Sequence, residues 1–171
     1  MAVRSFGSSL TKKRSVFFWV LTVLSLVWTA FIFSNSLKNA DDSLIQSGCI
    51  VDFVIDSILC VPDDKLTVDF AAFVTNFVRK LAHFTEFAIL SSLLFFVFFV
   101  RQDNETKSFA FSMTITFFVA IADETLQTFS AGRACRFTDV FIDCSGGIFA
   151  CTVCFIILRI VEFVKKRRIT D

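Results

Sequence analysis

Three uncharged, apolar runs, residues 87–100, 108–122 and 144–158, each abut a cluster of polar and ionisable side chains. The first cluster is Arg79, Lys80, His83 and Glu86, the second Asp123, Glu124 and Gln127, and the third Asp139 and Asp143. A bilayer core of about 30 Å takes about 20 helical residues to cross. Each run is too short alone, so each helix draws its remaining turn or two from its cluster. Carboxylates, a histidine and basic groups then lie just below one membrane surface. Such groups are costly in lipid and most often mark a site.

Of the 171 residues, 55% are hydrophobic, with 25 Phe, one Pro and a mean hydropathy of +0.71. A soluble domain of this size does not carry that much aliphatic and aromatic surface. The chain reads as one integral membrane domain over residues 1–171. The formal net charge of +1 hides a segregation. Basic residues crowd both ends, at Arg4, Lys12, Lys13 and Arg14 and at Lys165, Lys166, Arg167 and Arg168. Between residues 41 and 69 there are seven Asp against one Lys. A positive start followed by an apolar run is also the pattern of a signal peptide. Residues 16–33 are long for a signal core and lack a small-x-small cleavage site, so they read as an uncleaved first helix.

The expected fold is an all-α membrane protein with four transmembrane helices, at 16–36, 80–100, 108–128 and 140–161. Short amphipathic surface helices are expected between the first and second spans. One runs over residues 44–59, where Ile50, Val51, Val54, Ile55, Ile58 and Leu59 recur at helical spacing. The other covers residues 66–77, and Pro62, Asp63 and Asp64 separate the two as a turn. Both are short and acidic and are placed lying on the outer surface. Ser34, Asn35 and Ser36 cap the first span, residues 101–107 form a polar hairpin, and residues 128–138 form a loop containing Gly132.

Basic residues near span ends set orientation. Four spans put both termini on one side, and the two terminal clusters make that side cytoplasmic, in agreement with Arg101 and Lys107. The expected location is the plasma membrane, multi-pass, with all three polar clusters facing outward. Arg79, Lys80, Arg133 and Arg136 run against the charge bias there, which suggests a role other than topology.

Arg79, His83 and Glu86 stand at i, i+4 and i+7 and share one helical stripe. His83 is a proton carrier near neutral pH, and Glu86 is placed to hold its ring in one tautomer. Arg79 and Lys80 suit a phosphate or carboxylate, although Lys80 also fits a plain headgroup anchor. Asp123 and Glu124 diverge by about 100° on a helix, so only one points straight into a bundle. Gln127 can share a face with either. Adjacent carboxylates in a dry position disfavour each other's charge, so one is a candidate acid. Arg133, after Gly132, is a candidate anion clamp. Asp139 and Asp143 face one way on the fourth span, and an ionised Asp143 there calls for a partner such as Arg79, Arg133 or His83. The catalytic candidates are thus His83, Glu86, Asp123, Glu124 and Asp143. The substrate-binding candidates are Arg79, Lys80, Gln127, Arg133 and Asp139.

The six cysteines say less. Cys144, Cys151 and Cys154 lie in an apolar helix, where thiols serve as small packing residues. Cys49 and Cys60 fall on the outer side, where a disulfide is allowed, but free thiols are the favoured reading. A single His and scattered thiols argue against zinc. No metal or cofactor is expected, and no nucleic-acid partner.

Taken together, Phe33-Ser34-Asn35-Ser36, Arg79-Lys80-Leu81-Ala82-His83-Phe84-Thr85-Glu86-Phe87, Asp123-Glu124-Thr125-Leu126-Gln127, Gly132-Arg133, and Asp139-Val140-Phe141-Ile142-Asp143 with Gly147 resemble the VanZ-like family of small bacterial membrane proteins. The likeness spans residues 16–157, and the order and spacing of the motifs carry it. It implies a short multi-span protein, and the family's namesake is associated with resistance to teicoplanin, a lipid-bearing glycopeptide antibiotic. The chain departs from the pattern at Phe87, where Tyr is expected, at Cys135 and Arg136 beside the loop arginine, and at Cys144 after Asp143.

The leading expectation is a membrane enzyme acting on a lipid-linked or cell-envelope substrate. Arg79 and Arg133 would bind an anionic headgroup, and the histidine and carboxylates would move protons. The alternative is a non-catalytic binder that sequesters a lipid headgroup or an amphiphilic antibiotic. Transport is disfavoured because the ionisable groups sit near one face rather than at the midplane. The expected partner is a membrane lipid or lipid-linked envelope precursor, with a homo-oligomer left open.

Overall fold

The computed structural model describes residues 2–38, 68–130 and 136–170, with Gly48, Val51 and residues 53–55; side chains before Lys13 and after Arg168 lie outside that description. Four helices make up the fold: α1 (Ala2–Ser36), α2 (Val68–Gln102), α3 (Glu105–Gln127) and α4 (Phe137–Thr170). Each contains a stretch long and apolar enough to cross a membrane: Lys13–Ser36, Asp69–Gln102, Glu105–Gln127 and Phe137–Arg168. No strand occurs among the described residues. The chain is a multi-pass membrane protein.

The second span begins earlier than the sequence suggests. Residues 68–77 are not a separate surface helix but the first turns of α2. Between Val68 and Gln102 there is no Pro or Gly to interrupt the helical ladder. The hydroxyl of Thr75 returns to the Ala71 carbonyl at 2.8 Å, within an unbroken helix. Val74 on this extension is buried against Val51 and Ile55, with Phe70, Val54 and Val78 around them. At about 1.5 Å per residue α2 is about 52 Å long, more than a bilayer core needs, so it tilts or projects beyond it. The rest of the expected helix at 44–59, with Cys49 and Cys60, lies outside the described residues.

The turn between α2 and α3 is tighter than the expected seven-residue hairpin. Asp103, with φ of 55°, takes the left-handed conformation that Asp tolerates better than most residues. Asn104 then caps α3, its side-chain oxygen accepting from the Lys107 amide at 2.9 Å.

The bundle is organised around α2, which packs against the other three helices; α3 and α4 also pack together, and α1 leans on α2 and α3. Burial is inverted relative to a soluble protein. Trp19, Leu26, Phe118, Phe141 and Ile157 are exposed, whereas Ser91, Ser108, Ser112, Thr116, Asp123, Glu124 and Asp143 are buried. Lipid solvates much of the apolar bulk, and the interior holds small and polar groups beside a core of Ile32, Phe87, Leu90 and Leu94. Ser91 and Thr116 share a hydrogen bond of 2.8 Å, and Ser112 and Cys151 one of 3.1 Å. Cys151 and Cys154 pack with Phe95 as core residues. Not all of the phenylalanine faces lipid, because Phe87 and Phe95 are fully buried.

One contact sets the spacing of α2 and α4. A Cβ on Gly146 would collide with the backbone carbonyl of Phe84. Gly146 therefore lets the two helices touch backbone to backbone, one residue beyond His83 and one turn beyond Asp143.

Candidate polar site at one end of the bundle

Because successive helices run antiparallel, four segments distant in sequence meet at one end: the C-terminal ends of α1 and α3 and the N-terminal halves of α2 and α4. The three sequence clusters all lie there. Three of their carboxylates are deeply buried: Asp123, Glu124 and Asp143 are 0%, 2% and 1% exposed.

At the centre, Nδ1 of His83 lies 3.7 Å from Oδ1 of Asp143, with the His83 side chain 18% exposed. The Gly146–Phe84 approach brings these two helices this close. Asp123 reaches the same place from α3. One ligand atom each from His83, Asp123 and Asp143 can be chosen so that all lie within 4.8 Å of one another. Asp123 is held on both oxygens. Ser36 donates to Oδ1 at 2.5 Å and Gln127 to Oδ2 at 3.2 Å. Ser130 in turn donates to the Ser36 carbonyl at 3.0 Å.

Glu86 takes a different part from the one its spacing suggests. Its Oε1 accepts from Asn35 at 2.8 Å, and its backbone carbonyl accepts from the indole of Trp28 at 2.9 Å. The carboxylate beside the His83 ring nitrogen is Asp143 on another helix. Lys38 donates to the Asn35 side chain at 3.0 Å, so a basic group sits behind Glu86.

Asp123 and Glu124 are both buried, although they diverge around α3. Asp123 turns to α1 and the centre of the bundle. Glu124 turns to the start of α4, where its Oε1 accepts from the backbone amide of Arg136. Its Oε2 is buried without a hydrogen-bond partner among the described residues. Arg79 is half-buried and lies within electrostatic range of Glu124. Asp139 is half-buried one turn from Asp143, and its Oδ1 accepts from Thr138 at 3.3 Å. Lys80 is exposed at the edge. Arg133 lies outside the described residues.

Glu124 also opens on a second feature. A cleft of about 990 Å³ runs between α3 and α4, lined by Phe117, Ile121, Phe137, Val140 and Phe141 among others. Among the described residues, Glu124 is the charged one in that lining. An apolar trough thus leads from the lipid-facing side to a buried carboxylate.

Asn35, Ser36 and Trp28 belong to the site but read from the sequence as a helix end and lipid-facing bulk. Asn35 and Ser36 carried a signal in their place, at the same end of the bundle as the ionisable clusters. Trp28 carried none, since an indole in an apolar run looks like any aromatic.

Searches of curated proteins and of solved structures found no match. A family described as VanZ/LLP1 matches residues 19–159, a stretch that runs from the first span into the last and contains every residue of the polar site. The chain belongs to the VanZ/LLP1 family.

Proposed function

We propose that this protein acts on a lipid-linked cell-envelope substrate from the outer leaflet of the plasma membrane, by hydrolysis or group transfer at the headgroup. The observations that support this reading are the His83–Asp143 couple and, at the same end of the bundle, an apolar cleft between α3 and α4 that reaches Glu124. Acyl chains occupy the cleft, and the anionic headgroup reaches Arg79 and Arg133, with Gln127, Asp139 and Lys80 at its margin. His83 takes a proton from the attacking hydroxyl or water. Asp143 orients the ring and stabilises its charged form. The protonated His83 then gives this proton to the leaving group, while Glu124 stands at the inner end of the cleft. Asp123 and Glu86 fix the frame through Ser36 and Asn35. The basic residues at both ends of the chain support cytoplasmic termini, and the family's association with teicoplanin resistance supports an envelope substrate.

The test is teicoplanin susceptibility of a sensitised strain carrying the wild type, His83→Gln or Asp143→Asn, at equal membrane levels. General acid–base groups contribute about 10²- to 10⁴-fold in rate, so both variants are expected to lose protection. Full protection with His83→Gln overturns the catalytic reading and leaves sequestration of the headgroup or of the antibiotic.

A further inference from the structure

We propose that His83, Asp123 and Asp143 form a binding site for one divalent cation of the manganese or zinc type. Three helices each contribute one residue, and one ligand atom from each lies within 4.8 Å of the others. Oxygen and nitrogen ligands at about 2.0–2.6 Å from an ion are about 3–5 Å from one another. The three side chains already have that spacing.

Acidic residues that happen to be neighbours do not make a site, and Asp143 supplies the further observation. It is 1% exposed, and among the described residues neither of its oxygens accepts a hydrogen bond. Burying a carboxylate without hydrogen bonds is expensive, whereas a cation at the centre of the three residues satisfies it directly. Four further carboxylates, Asp123, Glu124, Asp139 and Glu86, lie within electrostatic range of Asp143.

The surroundings resemble those of metal-binding carboxylates. Asp123 is oriented by Ser36 and Gln127. Such supporting bonds fix ligand direction at metal sites. The Gly146–Phe84 backbone contact fixes the distance between the helices bearing His83 and Asp143. One imidazole with two carboxylates suits manganese and zinc better than a thiolate-selected ion, and it differs from the cysteine pattern that a sequence search for zinc looks for. Three protein ligands leave coordination positions open to water or to a phosphate oxygen. The site does not rest on the lipid-linked reading, and with an ion bound His83 and Asp143 are its ligands rather than a proton-transfer couple; ion binding is measured without any substrate, so the substrate reading and the ion site can each fail alone.

The experiment uses the full chain, purified in detergent without a polyhistidine tag, stripped with chelator and titrated with Mn²⁺ by electron paramagnetic resonance and with Zn²⁺ by calorimetry. One saturable ion per chain is expected. The chain has a single histidine, so nitrogen modulation of the bound Mn²⁺ signal by an imidazole identifies His83. Asp143→Asn and His83→Gln are expected to weaken binding at least 10-fold. Ser36→Ala should weaken it by about 10- to 100-fold, as loss of a supporting bond does. Glu162→Gln, an exposed carboxylate at the other end of α4, should leave it unchanged. Absence of saturable binding of both ions to the wild type overturns the proposal even if a variant fails to fold. So does binding that survives both Asp143→Asn and His83→Gln, or bound Mn²⁺ without imidazole modulation.

Discussion

The hydroxyl of Ser36, the last residue of α1, donates a 2.5 Å hydrogen bond to Oδ1 of Asp123, 87 residues further along the chain. Both groups are buried, and the bond is short, as expected for a hydroxyl facing a carboxylate. It ties the first span to the third at the depth of the polar site. Ser36→Ala leaves that oxygen with one fewer partner in a dry environment. A loss of about 1.5–3 kcal/mol is expected for a bond to a charged group. Thermal unfolding of the detergent-solubilised variant measures it, and an unchanged midpoint would show that water replaces the hydroxyl at no cost.

Gly146 and Gly147 are adjacent but should respond differently to Ala. At Gly146 the added methyl meets the Phe84 carbonyl, which is backbone and cannot move without moving α2. At Gly147 it meets the Ser91 hydroxyl at 2.6 Å and a Thr116 methyl at 3.1 Å, both side-chain atoms. Gly146→Ala is expected to destabilise by more than the about 1–3 kcal/mol usual for overpacking. It should also abolish function by separating His83 from Asp143. Gly147→Ala should fall within that range. Stability and teicoplanin susceptibility measured on the pair decide the matter, and equal effects would refute the backbone argument.

The bond between Ser91 and Thr116 lies among apolar helices, where a hydrogen bond is intuitively strong. Measured couplings inside membrane proteins average about 0.6 kcal/mol, because the same groups also find partners in the unfolded, membrane-inserted state. A double-mutant cycle with Ser91→Ala and Thr116→Val is expected to return a coupling near that value. A coupling of several kcal/mol would mean that these hydroxyls have no alternative acceptor.

Ile121 lines the cleft between α3 and α4 and is exposed to it. Ile121→Trp adds bulk there while leaving every charged residue in place. Under the lipid-linked reading, protection against teicoplanin should fall without any loss of membrane insertion or thermal stability. Wild-type protection in the filled variant would remove the cleft from the mechanism.

Topology can be checked from the chain ends. Green fluorescent protein fused after Asp171 should fluoresce, and alkaline phosphatase at the same place should be inactive. The opposite pair of results would turn the polar site to the cytoplasmic leaflet and defeat the outer-leaflet reading.

Much of this was legible in the sequence. Runs of about 15 apolar residues ending in charge cannot cross a bilayer alone, so Arg79, His83, Glu86, Asp123, Asp139 and Asp143 had to enter the spans, and antiparallel connection had to gather them at one end. Helix periodicity is a local property, and it places these side chains by depth. It also misled locally, since the amphipathic pattern of residues 66–77 reads as a separate surface helix, whereas residues 68–77 run on into the second span and bury Val74 against Val51 and Ile55.

Which side chains meet was decided only by the tertiary structure. Spacing along one helix paired His83 with Glu86, but rotation of the helices about their axes set His83 against Asp143 and gave Glu86 to Asn35. That rotation is fixed by contacts between helices, above all the missing Cβ of Gly146 against Phe84. A sequence records each glycine and each carboxylate but not the angle at which one helix faces the next, because that angle minimises the free energy of the whole bundle rather than of any segment.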